Sequence, residues 1–319
     1  MDRIDLRAIC TDAQTIGITG HTRPDGDCVA SCLTLYQYLR KCFPDKHVRV
    51  ILETPPQIFS QLDGFDQIER ASQEGEHFDV FFVVDCEPSR IGEAKHSFEK
   101  ADVTVNIDHH VSNPATSATL NYNQPQIGSC CEVIYDLLDP QLIDRTIAET
   151  IFVGMIHDTG VFQYSNTTPK TLEVAAHLIR CGIPFSQIIE ESFNQRTYIQ
   201  SQILGRTLLE SVRLMNGRVA VGWVSQKTKD FYGVASGDLN GIVNQLRNIA
   251  GVDCAIFLNE IGLHEYKVSL RCTERLDATK VATYFGGGGH MRAAGCNMKG
   301  TLHDCVNNLT RVIEQHLSA

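Results

Sequence analysis

Short apolar runs alternate with helical patterns through the first half of the sequence. Residues 28–41 and 130–138 place apolar side chains at the three- and four-residue spacing of a helix. Runs rich in β-branched and aromatic residues predict strands at 15–19, 48–52, 80–84 and 103–107. Strands that alternate with helices predict a parallel sheet covered by helices.

A second series of strands and helices follows in the last third of the chain. Helical patterns at 145–156 and 169–180 complete the N-terminal region, and a long polar helical stretch at 186–212 predicts a connector. The second series comprises strands 218–224, 254–258 and 266–271, a short strand near Cys296, and helices 239–250, 278–285 and 302–317. We therefore expect a two-domain α/β protein with a parallel-sheet domain (1–190), a helical connector (191–215) and a smaller α/β domain (216–319).

The composition is that of an ordinary globular protein. The 319 residues are 43% hydrophobic and 21% charged, and this length favours two hydrophobic cores over one. No apolar run approaches the roughly 18 residues of a membrane span, and residues 1–14 mix charges without the pattern of a signal peptide. We expect a cytoplasmic protein without a membrane partner. The sequence leaves open whether it forms a homodimer.

The 12 cysteines are scattered along the chain without a C-x-x-C pair. Cys28 and Cys32 are one helical turn apart, and Cys130 and Cys131 are adjacent. Neither pair has a second pair at the spacing of a zinc finger. We therefore expect buried free thiols, with neither disulfides nor a structural zinc site.

The formal net charge of −10 limits the nucleic acids that the protein can bind. Binding a long strand or duplex depends on neutralising many phosphates, and here 28 basic residues are outnumbered by 38 acidic ones. A small anionic substrate needs only a few basic groups and metal ions in one cleft. The charge therefore favours a short RNA or a nucleotide over long duplex nucleic acid.

Acidic and histidine side chains follow three predicted strands at the point where each strand ends. The carboxyl ends of parallel strands meet at one edge, so these side chains should converge on one crevice. Several carboxylates with imidazoles and no thiol suit Mn²⁺ or Mg²⁺, and their number favours two ions, with Asp85 as our choice of bridge. The residues are His21, Asp25 and Asp27 after 15–19, Asp85 after 80–84, Asp108, His109 and His110 at the end of 103–107, and Asp158 after the helix at 145–156.

Each of these residues also has an ordinary structural interpretation. Asp25 and Gly26 suit a turn, Asp27 suits a helix cap, and a histidine such as His109 can be satisfied within a core. These interpretations do not explain why all of the residues occur at successive strand ends. The combination therefore favours a metal site.

A run of four glycines at 286–289 precedes His290 and Arg292. Glycine lets backbone amides approach an anion closely, and the basic side chains would add donors at the start of a helix. A flexible turn is the plain alternative. Because Arg271 ends an apolar strand in the same region, we expect a phosphate-binding site made of Arg271, Gly288, Gly289, His290 and Arg292.

The ordered motifs resemble those of the DHH phosphoesterase superfamily. In chain order they are His21, Asp25 and Asp27, then Asp85, then Asp108-His109-His110 with Asn113, then Asp158-Thr159-Gly160. The glycine run with His290, followed by Arg292-Ala293-Ala294-Gly295, is similar to the glycine-rich motif of the DHH-associated C-terminal domain. The resemblance spans nearly the whole chain.

This resemblance implies that two divalent ions are bound, Mn²⁺ being expected and Mg²⁺ the alternative. It assigns His21, Asp25 and Asp85 to one ion, and Asp27, Asp85, His109 and Asp158 to the other. The chain departs from the common pattern at His157 and at Cys130-Cys131, and neither departure removes a ligand.

The resemblance also implies roles for residues around the ions. His110 would face the substrate phosphate as a catalytic residue, and Asp108 would orient the histidines. Asn113 would belong to the substrate site. The C-terminal domain would hold one end of a short substrate.

Chain length and the glycine-rich motif are similar to those of the stand-alone nanoRNases and adenosine 3′,5′-bisphosphate phosphatases of the superfamily. The resemblance implies hydrolysis of short oligoribonucleotides to mononucleotides and dephosphorylation of adenosine bisphosphate. The family-II pyrophosphatases lack this C-terminal motif, and the recombination exonuclease is longer. Two alternatives stay open: a phosphodiesterase for linear or cyclic dinucleotide messengers, and a nucleotide-binding regulator without catalysis.

Overall fold

The computed structural model describes residues 3–70, 76–111, 113 and 117–317. The chain divides into two compact units, Met1–Gln195 and Arg196–Ala319. Each unit has its own six-stranded sheet and its own hydrophobic clusters. Among the helices of the described ranges, none has both the length and the apolar character needed to cross a membrane.

The first unit is built on a parallel sheet. Its strands are β1 (Thr15–Thr19), β2 (His47–Ile51), β3 (Ile68–Glu69), β4 (Val80–Val84), β5 (Val103–Asp108) and β6 (Leu120–Asn123). The order β3-β2-β1-β4-β5-β6 places β1, β4 and β5 side by side in the middle of the sheet. Their carboxyl ends therefore lie next to one another at one edge.

Helices cover the faces of this sheet. They are α1 (Leu6–Cys10), α2 (Gly26–Cys42), α3 (Lys95–Lys100), α4 (Cys130–Leu137), α5 (Arg145–Thr159), α6 (Pro169–Arg180) and α7 (Phe185–Ile189). Because successive side chains of a strand point to opposite faces, Phe82 of β4 joins the large cluster that includes α2 and α5, whereas Phe81 packs with Phe78 and Phe98 on the other face. Both faces of β4 are thus buried.

The second unit has a mixed sheet of order β11-β12-β10-β9-β8-β7, in which only β8 and β9 are parallel among the described pairs. Its strands are β7 (Val212–Leu214), β8 (Val219–Val224), β9 (Cys254–Gly262), β10 (Glu265–Cys272), β11 (Gly288–His290) and β12 (Ala293–Lys299). Its helices are α8 (Tyr198–Glu210), α9 (Gln226–Tyr232), α10 (Ile242–Arg247), α11 (Ala278–Tyr284) and α12 (Leu302–Leu317). The predicted strands of this region are all present, and β7 and β11 extend the sheet at its edges.

The single helix expected over 186–212 is wrong. After α7 the chain makes one π-helical turn, Glu190–Asn194, and Gln195 is extended. Thr197 then caps α8 through a capping box with Gln200, because its side chain accepts the Gln200 amide and the Gln200 side chain accepts the Thr197 amide. Ile203 of α8 is fully buried in a cluster with β8 residues, so α8 packs within the second unit.

Two glycine positions give opposite predictions for stability. A side chain at Gly17 of β1 would overlap the ring of Phe81, whereas nothing lies within 4 Å of the position that a Cβ would take at Gly205 of α8. We expect Gly17→Ala to lower the free energy of unfolding by about 1–3 kcal/mol through overpacking. Gly205→Ala should raise it by about 0.5–1 kcal/mol, because alanine favours the helix and restricts the unfolded chain.

Urea unfolding measures both effects. Circular dichroism follows the whole chain, and fluorescence of Trp223, the single tryptophan, follows the second unit because this residue lies in β8. An unchanged or higher urea midpoint for Gly17→Ala would contradict the close packing of β1 against Phe81.

Candidate metal centre

The loops after β1, β4 and β5 bring the predicted metal-ligating side chains to one edge of the first sheet. His21 follows β1, Asp85 follows β4, and His109 follows β5. Asp25 is the N-cap of α2, where its side chain accepts the Cys28 amide at 3.1 Å, and Asp27 lies in the first turn of that helix. Asp158 is in the last turn of α5, which packs against α2. All six predicted ligands therefore meet.

Two groups of side chains form within this assembly. In the first, His21 Nε2 lies 3.8 Å from Asp25 Oδ1 and 3.6 Å from Asp85 Oδ2. In the second, His109 Nε2 lies 3.8 Å from Asp27 Oδ2, 3.3 Å from Asp85 Oδ1 and 3.4 Å from Asp158 Oδ2. Asp85 thus presents one carboxylate oxygen to each imidazole, which is the arrangement expected of a bridge.

Burial and neighbouring negative charges make two of the carboxylates, Asp27 and Asp158, costly to ionise. Asp27 is 1% exposed, and its burial and the charges of Asp85 and Asp158 raise its pKa. Burial raises the pKa of Asp158 to about 6, with the neighbouring carboxylates adding to the shift and His109 opposing it. Burial alone would lower the pKa of His109, but the carboxylates around it raise it to about 10. The pocket therefore favours bound positive charge.

Among the residues that the structure describes, two buried atoms of the pocket have no hydrogen-bond partner, namely Asp85 Oδ1 and His109 Nε2. Such atoms are rare in protein interiors because an unpaired buried polar group costs free energy. A divalent ion would be a partner for both. Oxygen and imidazole nitrogen are donors that Mn²⁺ accepts, so the residues present fit the ions implied by the sequence.

Asp85 adopts a left-handed backbone conformation, with φ of 60°. Few side chains tolerate this region, and Asp and Asn are among those that do. The conformation turns the carboxylate at the end of β4 between the two histidines. Local strain at this residue is consistent with a functional position.

Asp27 is held by the N-terminus of α4. Its Oδ2 accepts the Cys130 amide at 2.6 Å, and its Oδ1 accepts the Cys131 amide at 3.0 Å. This contact is not visible in the sequence, which shows only that the two cysteines are adjacent. Because the donors are backbone amides, the contact does not depend on the cysteine side chains.

Asp108 organises the residues beside the two groups. Its Oδ1 accepts the His109 amide at 2.7 Å and lies 2.7 Å from His110 Nδ1, and its Oδ2 accepts from Asn113 Nδ2 at 2.6 Å. Burial would raise the pKa of Asp108, but His110 and Asn113 lower it. His110 keeps 30% of its side chain exposed, so it lies at the open side of the pocket.

The substrate-binding role predicted for Asn113 does not fit its position. Asn113 is 6% exposed, and its Nδ2 donates to Asn106 Oδ1 at 2.8 Å as well as to Asp108. Its burial behind Asp108 makes it a support for that carboxylate. The sequence motif identifies Asn113 but does not show which way its side chain points.

His157, the residue before Asp158, is packed between aromatic rings. Its ring centre lies 5.0 Å from that of Phe59 and 5.4 Å from that of Phe193, and burial lowers its pKa. A side chain at Gly26 would overlap the His157 ring. The imidazole is therefore a neutral packing group between the start of α2 and the end of α5.

The sequence predicts metal ligands without a thiol, and the structure places one thiol beside these predicted ligands. Cys28, in the first turn of α2, offers a sulfur that lies within 4.8 Å of ligand atoms of His21 and Asp85. Its helical position places the side chain on the same side as the loop after β1. The spacing of this residue from His21 is the signal that could have revealed it.

The basic residues predicted to bind phosphate lie on neighbouring strands of the second unit. Arg271 of β10 pairs with Ala293 of β12, and Ala293 pairs with His290 of β11. Directly paired residues share a face of a sheet, so Arg271 and His290 flank Ala293 on one face. Arg292 is exposed and forms an ion pair with Glu274.

The helix expected to begin after the glycine run is wrong. Gly288, Gly289 and His290 form the exposed strand β11 at the edge of the sheet. Gly289 has φ of 145°, and a side chain there would collide with the backbone of Ala293 and Ala294. Glycine is needed here for close strand pairing, and the amides lie on a strand edge instead of a helix terminus.

Known families match two parts of the chain. The profile described as DHH family, N-terminal domain, matches residues 15–155, and the DHHA1 domain matches residues 216–319. The first range contains the predicted ligands apart from Asp158, and the second contains Arg271, His290 and Arg292.

Curated relatives and a solved structure resemble the chain along most of its length. The bifunctional oligoribonuclease and PAP phosphatase NrnA of Thermus thermophilus is 28% identical over 94% of this chain and 88% of its own length. The protein of the same name from Bacillus subtilis is 28% identical over 89% of each. The crystal structure of an exopolyphosphatase-related protein from Bacteroides fragilis, 25% identical, has a TM-score of 0.89 and covers 98% of this chain and 95% of that chain.

The resemblance read from the ordered motifs is confirmed by these matches. The chain belongs to the DHH family of phosphoesterases, which are hydrolytic enzymes, and it carries a DHH N-terminal domain followed by a DHHA1 domain.

Proposed function

We propose that the protein is a two-metal phosphoesterase that hydrolyses short oligoribonucleotides to mononucleotides and dephosphorylates adenosine 3′,5′-bisphosphate. The observation that carries this proposal is the pair of ligand groups that share Asp85. The names of the two NrnA relatives, which combine oligoribonuclease and PAP phosphatase, support the substrate class.

In this proposal one ion is held by His21, Asp25 and Asp85. The other is held by Asp27, Asp85, His109 and Asp158. Carboxylates combined with imidazoles favour Mn²⁺, with Mg²⁺ as the harder alternative. When bound, such a pair of ions supplies an activated water and neutralises charge on the phosphoryl oxygens.

His110 is proposed to bind a substrate phosphate. The contact of its Nδ1 with Asp108 raises the pKa of the imidazole, which favours the protonated form. A protonated imidazole presents Nε2–H to an anionic oxygen on the exposed side of the ring. Asp108 and Asn113 act through His110 and are positioning residues in this proposal.

Arg271, His290 and Arg292, with the Gly288 and Gly289 amides, are proposed to bind an anionic end of the substrate on the second unit. Arg271 and His290 flank Ala293 on one sheet face, which suits a single phosphate group. A few such contacts suffice for a short substrate in a protein of net charge −10.

Replacing Asp85 tests the metal centre. Asp85→Asn suits the left-handed backbone but removes the charge that both ions share, so we expect turnover with Mn²⁺ to fall by at least ~10²-fold. The matched control is Asp102→Asn, because Asp102 contacts His77 at 3.1 Å just before β5, at the opposite edge of the sheet. Hydrolysis of a dinucleotide measures the rates. Near-normal activity of folded Asp85→Asn at saturating Mn²⁺ would remove the bridging role.

Replacing Arg271 or His290 with alanine tests the phosphate site on the second unit. Loss of a charge-assisted contact should raise KM for a dinucleotide about 10-fold and change kcat less. Lys299→Ala is the control, since Lys299 ends β12 away from Ala293 and pairs with Glu265 at 2.7 Å. Hydrolysis of bis-p-nitrophenyl phosphate should change less than hydrolysis of the dinucleotide. Equal losses on both substrates would assign these residues to folding instead.

Substrate length gives the sharpest test of the proposed activity. Binding a long RNA strand requires a groove with many basic groups for the phosphates and aromatic side chains that stack on the bases. The acidic composition of this chain offers few such basic groups. We expect kcat/KM to fall steeply for 5′-labelled RNAs from two to about 24 nucleotides at fixed salt. Adenosine bisphosphate, linear and cyclic dinucleotide messengers and pyrophosphate complete the panel. Constant or rising efficiency with length contradicts the short-substrate proposal, and selective cleavage of a messenger dinucleotide would replace it.

A further inference from the structure

The sulfur of Cys28 lies beside the first ligand group. Cys28 is fully buried in the first turn of α2, and its sulfur and the ligand atoms of His21 and Asp85 are all within 4.8 Å of one another. The sulfur fills the space that a side chain at Gly20 would need. The absence of a side chain at the end of β1 thus leaves room for a thiol at the floor of the site.

The residues around this thiol point to a cation. Asp85 is 2% exposed, and its Oδ2 is the carboxylate oxygen that faces His21. His21 Nε2 is 3.6 Å and 3.8 Å from two carboxylate oxygens, which is longer than a normal hydrogen bond. Two ligands that are each about 2.1 Å from a tetrahedral ion lie roughly 3.4 Å apart. The distances from His21 Nε2 to the two carboxylate oxygens therefore match those between ligands of one ion better than those of direct hydrogen bonds.

Nearby thiols have other partners. Cys130 Sγ donates to the Ile107 carbonyl at 3.4 Å, and Cys131 Sγ lies 3.3 Å from Ser31 Oγ. Cys32, one turn after Cys28, is fully buried, and its thiol interacts with that of Cys28. Within the described ranges, Cys28 is the cysteine that groups with candidate metal ligands.

We propose that Cys28 is an additional ligand of the ion held by His21, Asp25 and Asp85, an inference that rests on the metal centre of the proposed function. The thiol releases its proton to solvent when its sulfur binds the ion. The first position then combines sulfur, nitrogen and oxygen, whereas the second has only nitrogen and oxygen. A thiolate binds softer ions such as Zn²⁺ and Co²⁺ more tightly than an oxygen ligand does, so the first position should hold these two ions more tightly than the second.

Cobalt spectroscopy tests this ligand without measuring hydrolysis. Metal-free full-length protein titrated with Co²⁺ should develop a near-ultraviolet thiolate-to-cobalt charge-transfer band. Cys28→Ser should lose the band, and the matched control Cys32→Ser should keep it. Zn²⁺ affinity of Cys28→Ser should fall by more than the ~10-fold that loss of an outer partner costs, with Mn²⁺ affinity changing less. A band that persists in Cys28→Ser, or none in the wild type, overturns the proposal.

X-ray absorption of the wild-type protein loaded with Zn²⁺ removes the dependence on a variant that folds poorly. A sulfur scatterer at about 2.3 Å from zinc is expected, and a shell of only nitrogen and oxygen would overturn the assignment. Hydrolysis of dinucleotides by the wild type with Mn²⁺ is measured in parallel. Activity without a sulfur ligand rejects Cys28 and leaves the proposed function standing, whereas a sulfur ligand without activity on any substrate rejects the function alone.

Discussion

The carboxylates of Asp27, Asp85 and Asp158 each lie within 3.8 Å of a single imidazole nitrogen, and those of Asp27 and Asp85 are almost fully buried. Like charges at such spacing repel strongly where the dielectric constant is low. The polypeptide offsets part of this cost through the two α4 amides that bind Asp27 and through the imidazole of His109, whose pKa the carboxylates raise to about 10. The first unit must therefore be stable enough to hold the repulsion that remains until bound cations neutralise it.

The sheet and its helices supply that stability. β1, β4 and β5 are central strands with buried side chains, so the loops that carry His21, Asp85 and His109 start from fixed points. α2 and α5 pack together and bring Asp27 and Asp158 from two helices to the same pocket. Ligands anchored on regular elements keep their spacing better than ligands on free loops.

The sequence was sufficient to predict the structure where the apolar periodicity and the positions of the chemically reactive residues indicated the same arrangement. The four strands predicted for the first sheet are rich in β-branched and aromatic residues, and the rule that strand ends converge brought all six predicted ligands together. β3 and β6 were missed because one has two residues and the other, Leu120–Asn123, contains two asparagines. Apolar periodicity does not encode tertiary contacts or helix capping. These determine where the side chain of Asn113 points, why residues 288–290 form an edge strand, and why the helix is interrupted at Gln195. The buried free thiol expected at Cys28 is present, but the sequence did not show that it lies beside His21 and Asp85.

Both ligand groups are complete within the stretch from His21 to Asp158, and the first unit ends at Gln195. A ribosome makes a chain from its N-terminus, and domains generally fold as units during synthesis, the N-terminal one first. The first unit has its own hydrophobic clusters, so its pocket is able to form while the second sheet is still being translated. The pocket therefore first selects among the ions that surround the nascent chain at that moment.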